Sequence, residues 1–141
     1  MLTYKTPPGD PIPLVLDRDR MQQVVTNLVA NAIEYTGAGR TVEVRTERRP
    51  EDDLVVVQVI DDGPQPPPKA DLQRLFEPGY QPPSSNQTTP RQRLGLSIAK
   101  TLVELHGGHI QADHNALGGL TFTFDLPTKT RTAYEAAAAG H

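Results

Sequence analysis

Between Asp17 and Tyr35 the chain reads DRDRMQQVVTNLVANAIEY, and Met21, Val24, Val25, Leu28, Val29, Ala32 and Ile33 recur at i, i+3, i+4, i+7, i+8, i+11 and i+12. That spacing predicts an amphipathic helix with one apolar face, which needs a second layer to cover it. Asn27, Asn31 and Glu34 share a narrow stripe of the helix, and Asn31 sits beside Val24 at the border of the apolar face. A short amide on that border is half buried and must find a partner. Two amides one turn apart can aim their oxygens at one point, which suits a hard cation such as Mg²⁺ on phosphate oxygens. Equally, they can cap or bridge neighbouring loops.

Further elements are legible along the rest of the chain. Leu14-Val15-Leu16, Thr41 to Thr46, Leu54 to Ile60, His109 to Asp113 and Thr121 to Leu126 read as strands. Leu54 to Ile60 is β-branched and reads as covered on both faces for much of its length. Asp17 or Asp19 can cap the first helix, Asp19 being followed three residues later by Gln22 as in a capping box, and Gly37 and Gly39 suit its end. Asp71 to Phe76 reads as a short helix inside a proline-rich loop, and Leu94 to Leu105 as a second long helix ending at Gly107-Gly108. Residues 1–13, with four prolines and a glycine, read as an extended lead-in, and 128–141 as a flexible tail. The segment between, 14–127, is the expected domain.

At 141 residues there is room for one core. A formal net charge of −3 argues against non-specific nucleic-acid binding, and the absence of Cys excludes disulfides and thiolate metal sites. The sequence has neither a signal-peptide core nor an apolar run of the ~18 residues that a membrane span needs.

Two places could carry chemistry. Asp61-Asp62-Gly63 closes the most apolar strand, where a carboxylate costs free energy unless it meets a donor such as the exocyclic amine of adenine. An ordinary turn aspartate is the other reading. Gly95 stands at the start of the second helix, with Arg91 and Arg93 just ahead. A helix N-terminus with those charges attracts phosphate, although a glycine N-cap explains the same residue.

In order, the chain holds Asn27-x-x-x-Asn31, Asp61-x-Gly63, Leu75-Phe76-Glu77-Pro78, Leu94-Gly95-Leu96-Ser97-Ile98-Ala99-Lys100, Leu105-His106-Gly107-Gly108-His109-Ile110 and Gly119-Leu120-Thr121-Phe122-Thr123-Phe124. Across residues 10–127 this resembles the catalytic ATP-binding domain of bacterial sensor histidine kinases, in the ATPase superfamily shared with gyrase and a heat-shock chaperone. The resemblance implies an α/β (α+β) two-layer sandwich. Its mixed, mainly antiparallel sheet of about five strands would carry about three helices on one face, with a long ATP lid. It implies ATP and Mg²⁺ as ligands, with Asn31 on the metal and Asn27 as a second contact. Asp61 would bind the adenine amine, with Gly63 against the ring and Tyr35 near the base. Phe76 would join the lid's aromatic box, and Thr121 would reach adenine through water. Gly95, flanked by Leu94 and Leu96, would bring backbone N–H groups to the phosphates.

Some positions depart from the family pattern. DxGxG becomes Asp61-Asp62-Gly63-Pro64-Gln65, GxGLGL becomes Arg91-Gln92-Arg93-Leu94-Gly95-Leu96, and Glu34 stands where the family carries Lys. Arg91 and Arg93 are expected to grip phosphate in compensation.

The implied activity is phosphoryl transfer to a histidine on a separate dimerisation domain, and from there to a response regulator, in a cytoplasmic and homodimeric parent protein. His106, His109, His114 and His141 read as structural or solvated rather than as acceptors. Three rival readings are an anti-sigma-type serine kinase, a gyrase-type hydrolase and a degenerate interaction module. The hydrolase reading suffers because Asn27 occupies the place of its basic glutamate.

Overall fold

The computed structural model describes residues 2–5, 18–36, 39–63, 66–80 and 90–127. In chain order these form β1 (Leu2–Lys5), α1 (Arg18–Thr36), β2 (Val42–Arg49), β3 (Leu54–Asp61), α2 (Pro90–Leu105), β4 (His109–His114) and β5 (Leu120–Pro127). Short 3₁₀ helices span Pro50–Asp52 and Lys69–Phe76. The five strands make one sheet in the order β1-β2-β3-β5-β4. β1 runs parallel to β2, and every other pairing is antiparallel.

Strand alternation puts Val55, Val57, Val59 and Asp61 of β3 on one face and Leu54, Val56, Gln58 and Ile60 on the other. On β5 the buried set is Leu120, Phe122, Phe124 and Leu126. These inward residues meet Val24, Leu28 and Ala32 of α1, Leu96, Ala99 and Val103 of α2, and Leu72, Leu75 and Phe76 of the second 3₁₀ helix in one core. The result is two layers, sheet and helices, in the mixed and mainly antiparallel form expected.

Several boundaries differ from the sequence reading. The fifth strand is Leu2–Lys5, inside the segment read as a lead-in, whereas Leu14-Val15-Leu16 lies outside the described residues. A parallel edge strand needs only a few backbone hydrogen bonds to β2, so its sequence signal is faint. The α2 helix starts at Pro90, a turn before Leu94, with proline at the first helical position where its missing N–H costs nothing. Among the described residues, helices cover β3 on one face only. Val56 is still 4% exposed on the other face because the sheet's own side chains form a groove of about 430 Å³ there, lined also by Arg49, Gln58, Thr123 and Asp125. The stop at Gly107 follows the reading: its φ is 81°, and Gly108 N–H returns to the Val103 carbonyl at 3.0 Å. No helix among the described residues is long and apolar enough to cross a membrane.

Phe122 is fully buried at the centre and meets the Phe76 ring edge-on, with centroids 6.1 Å apart at 83°. Truncating it removes the contact that joins the sheet to the 3₁₀ helix. Phe122→Ala should therefore cost about 3–5 kcal/mol, read as a fall in the urea midpoint followed by circular dichroism.

Candidate functional site

The last residue of β3 is the only buried carboxylate among the described residues. Asp61 is 2% exposed. Its Oδ1 accepts the Gly63 N–H at 3.0 Å and the Leu120 N–H at 3.1 Å. Its Oδ2 is buried and accepts no hydrogen bond from the described residues. Burial pushes the Asp61 carboxyl above its ordinary value of 3.8; the two backbone N–H groups oppose the rise, and the neighbouring Asp62 charge adds a little to it. One oxygen is thus clamped by the fold, and the other is desolvated with no donor among the described residues.

The turn between β4 and β5 closes over this carboxylate. Asn115 Nδ2 donates to the Asp61 carbonyl at 2.9 Å and to Thr121 Oγ1 at 3.2 Å. Gly119 fits so tightly that a Cβ there would overlap both the Asp61 carbonyl and Oδ1. Across the turn, Thr41 N–H donates to Asp62 Oδ1 at 2.9 Å and fastens the entry of β2 to the end of β3. The sequence reading missed Asn115 and Leu120. An Asn ahead of Gly118-Gly119 is a turn signal that could have drawn attention to the first.

The two amides of α1 lie differently. Asn31 is 5% exposed, on the buried side of the helix. Asn27 is half-buried and donates through Nδ2 to the Gly95 carbonyl at 3.2 Å, so α1 and α2 meet at this point. A Cβ on Gly95 would sit 3.8 Å from Asn27 Cβ, in ordinary contact. Asn27 and Gly95 also line a groove of about 340 Å³ between the helices, with Gln22, Gln23, Thr26, Ile98 and the acidic Asp19 on its walls. Asn27 therefore bridges neighbouring elements, as one of the two sequence readings allowed.

Three expected ligand contacts sit elsewhere. Thr121 pairs with Ile60 across the sheet and lines the groove on the open face, opposite the Asp61 carboxylate. The side-chain period of two sends Leu120, not Thr121, to the Asp61 side. Phe76 is a core residue, held by Phe122 and with Lys100 Nζ 5.9 Å from its ring centroid. It is 4% exposed. Gly95 lies inside α2, so its N–H and that of Leu96 fall within the helical ladder; Leu96 is buried in the core and Leu94 is 37% exposed. Gly63 stands beside Asp61 as expected. The side chains of Tyr35, Arg91 and Arg93 lie outside the described residues. Glu34 is half-exposed on α1.

Each described histidine has a local partner. His106 Nδ1 is 2.8 Å from the Leu102 carbonyl, His114 Nε2 is 2.7 Å from the Pro67 carbonyl, and the exposed His109 is 3.5 Å from Asp125. His141 lies outside the described residues.

Residues 16–130 match the family model described as histidine kinase-, DNA gyrase B-, and HSP90-like ATPase. The sensor histidine kinase WalK of Bacillus subtilis is 35% identical over 115 residues, which are 81% of this chain and 19% of that protein. The signal transduction histidine-protein kinase BaeS of Escherichia coli is 35% identical over 119 residues, 84% of this chain and 25% of that protein. The chain thus spans a quarter or less of the length of these two relatives. Among solved structures, the nucleotide-free catalytic domain of histidine kinase ThkA superposes with a TM-score of 0.78 at 32% identity, covering 92% of this chain and 80% of that one. A second structure, ThkA in complex with the response regulator TrrA, gives a TM-score of 0.74 at 29% identity, over 92% of this chain and 34% of that one.

The raised Asp61 carboxyl sets the sign of a pH effect. The folded chain holds this proton more tightly than the unfolded chain, so the stability gained is complete below pH 3.8 and is lost as pH rises through the folded value. Asp61→Asn keeps an oxygen for the Leu120 and Gly63 N–H groups and carries no charge. Urea titrations between roughly pH 4 and pH 7 should show the asparagine variant gaining on wild type as pH rises.

Proposed function

The chain belongs to the histidine kinase-, DNA gyrase B- and HSP90-like ATPase family, and from that premise we propose that it is the ATP-binding catalytic domain of a two-component sensor histidine kinase. The observation that carries the reading is Asp61, with Oδ1 held by two backbone N–H groups and a buried Oδ2 that lacks a protein donor among the described residues. Adenine offers an exocyclic amine to such an oxygen. Guanine offers a carbonyl at the same ring position and would set two acceptors against each other.

Asn31 and Asn27 supply amide oxygens, the ligand type that Mg²⁺ prefers when phosphates complete its shell. The Asn27 nitrogen is committed to Gly95, so the oxygen is its contribution. Among the described residues no group of three or more His, Cys, Asp or Glu could hold a metal alone. That fits a cation carried in with the nucleotide. When bound, Mg²⁺ neutralises charge on the phosphates. The chain's own part is to seat the base on Asp61 and to hold the triphosphate along α1. Arg91 and Arg93, ahead of Gly95, grip the phosphate end in this reading.

The phosphoryl group goes to a histidine on a separate dimerisation domain and then to a response regulator, in a homodimeric parent protein. Cytoplasmic location belongs to the same reading. The local partners of His106, His109 and His114 support an acceptor outside this domain. An amide at Asn27 cannot take a proton from water, which favours transfer over hydrolysis.

Titration calorimetry with Mg·ATP and Mg·GTP tests the reading. Wild type should bind ATP at least about tenfold tighter than GTP. Asp61→Asn should lose that preference, and Asn31→Ala should weaken ATP only while Mg²⁺ is present. Arg91→Ala with Arg93→Ala should lower affinity for both nucleotides together. Absence of heat with the wild-type chain would leave an interaction module of this fold and end the kinase reading.

A further inference from the structure

The antiparallel ladder between β3 and β5 ends at Ile60 opposite Thr121. One residue further along β3 stands Asp61, and there a side chain takes over from the strand. Asn115 Nδ2 gives one proton to the Asp61 carbonyl at 2.9 Å and one to Thr121 Oγ1 at 3.2 Å. Its Oδ1 accepts the Leu117 N–H at 2.9 Å and the Gly119 N–H at 3.1 Å. A primary amide has two donor protons and two lone pairs, and all four are used here. Flipping the amide would set its NH₂ against two N–H donors and its oxygen against a carbonyl, so the orientation is fixed.

The two ends of this amide hold different things. The oxygen folds the turn 115–119 and is helped by the backbone pair Asn115 N–H to Gly119 carbonyl at 3.0 Å. The nitrogen ties that turn to the main chain of Asp61. The next residue along, Leu120, is the donor that clamps Asp61 Oδ1. Gly119 fits against Asp61 only because it has no side chain.

We propose that Asn115 is a positioning residue for purine recognition: by tying the Asp61 main chain to the β4–β5 turn, it keeps the Leu120 N–H on Oδ1 and leaves Oδ2 for the base. The proposal rests on the reading of Asp61 as the adenine acceptor. It also gives Thr121 a role from the far face of the sheet, because its hydroxyl holds the same amide rather than touching a ligand.

Two variants separate the ends of the amide. Asn115→Asp keeps an acceptor for the Leu117 and Gly119 N–H groups but has no proton for Asp61 or Thr121. Thr121→Val leaves Asn115 and its bond to Asp61 in place. With both shown to be folded by circular dichroism, Asn115→Asp should weaken Mg·ATP about tenfold and cut the ATP-over-GTP preference by a similar factor. The Leu120 amide proton should move upfield in the NMR spectrum as its bond to the carboxylate loosens. Thr121→Val should shift both readouts in the same direction by a smaller amount. An unchanged nucleotide preference with an unmoved Leu120 resonance in Asn115→Asp would overturn the proposal. Loss of affinity for ATP and GTP alike, with Leu120 unmoved, would overturn it too, because that marks a general weakening. If wild type itself shows no preference for ATP, the adenine reading fails, and the Leu120 resonance still decides whether Asn115 sets the carboxylate.

Discussion

A carboxylate at the end of a buried strand is expensive, and the fold around Asp61 is arranged to hold it. Two backbone N–H groups reach one oxygen, one from two residues along the chain and one from the start of β5. Burial still outweighs them, and the carboxyl lies above its ordinary value. Such an imbalance is a cost to the folded chain in the absence of a ligand. It is also what makes the remaining oxygen a strong acceptor for a donor brought from outside.

Much of the frame around that residue is visible in the sequence. The stripe from Met21 to Ala32 turns inward, although Ile33, expected on the same face, is 51% exposed, and the β-branched run from Val55 to Val59 lies at the middle of the sheet. Both follow from periodicity, because a single buried face fixes which residues point in. The ends of elements were less legible. α2 begins at Pro90 because proline costs little at a first helical position, whereas apolar spacing alone starts the helix at Leu94. The Leu2–Lys5 strand has no strong pattern of its own and pairs on one side only.

Side-chain placement at the site was less legible for a related reason. Sequence spacing gives the order of residues, but one step along a strand reverses the face. Leu120 and Thr121 differ by that step: the first is buried beside Asp61, and the second lines the open groove. The family resemblance, not its own neighbours, assigns Phe76 to the lid's aromatic box. The 3₁₀ turn that carries it instead drives Leu72, Leu75 and Phe76 into the core. Asn115 was missed because four hydrogen bonds from one amide are set by a turn closing over a distant strand end. Nothing within a few residues of it names Asp61.

The two layers divide the work. Helices cover one face of the sheet and leave the other to its own side chains, where β2 carries Glu43, Arg45, Glu47 and Arg49, paired as Arg45 with Glu43 at 2.6 Å and Arg49 with Glu47 at 3.4 Å. Exposed pairs of this kind contribute little to stability, which fits a face selected for solubility more than for strength. On the covered side, Asp61 ends β3 in a buried position, and Asn27 of α1 is fastened to α2 through Gly95. In the reading proposed above, the Asp61 carboxylate would take the base of the nucleotide and the amide oxygens of α1 its metal-bound phosphates. Asn27 is an amide, which cannot take a proton from water, and His106 and His114 each lie within hydrogen-bond distance of a backbone carbonyl.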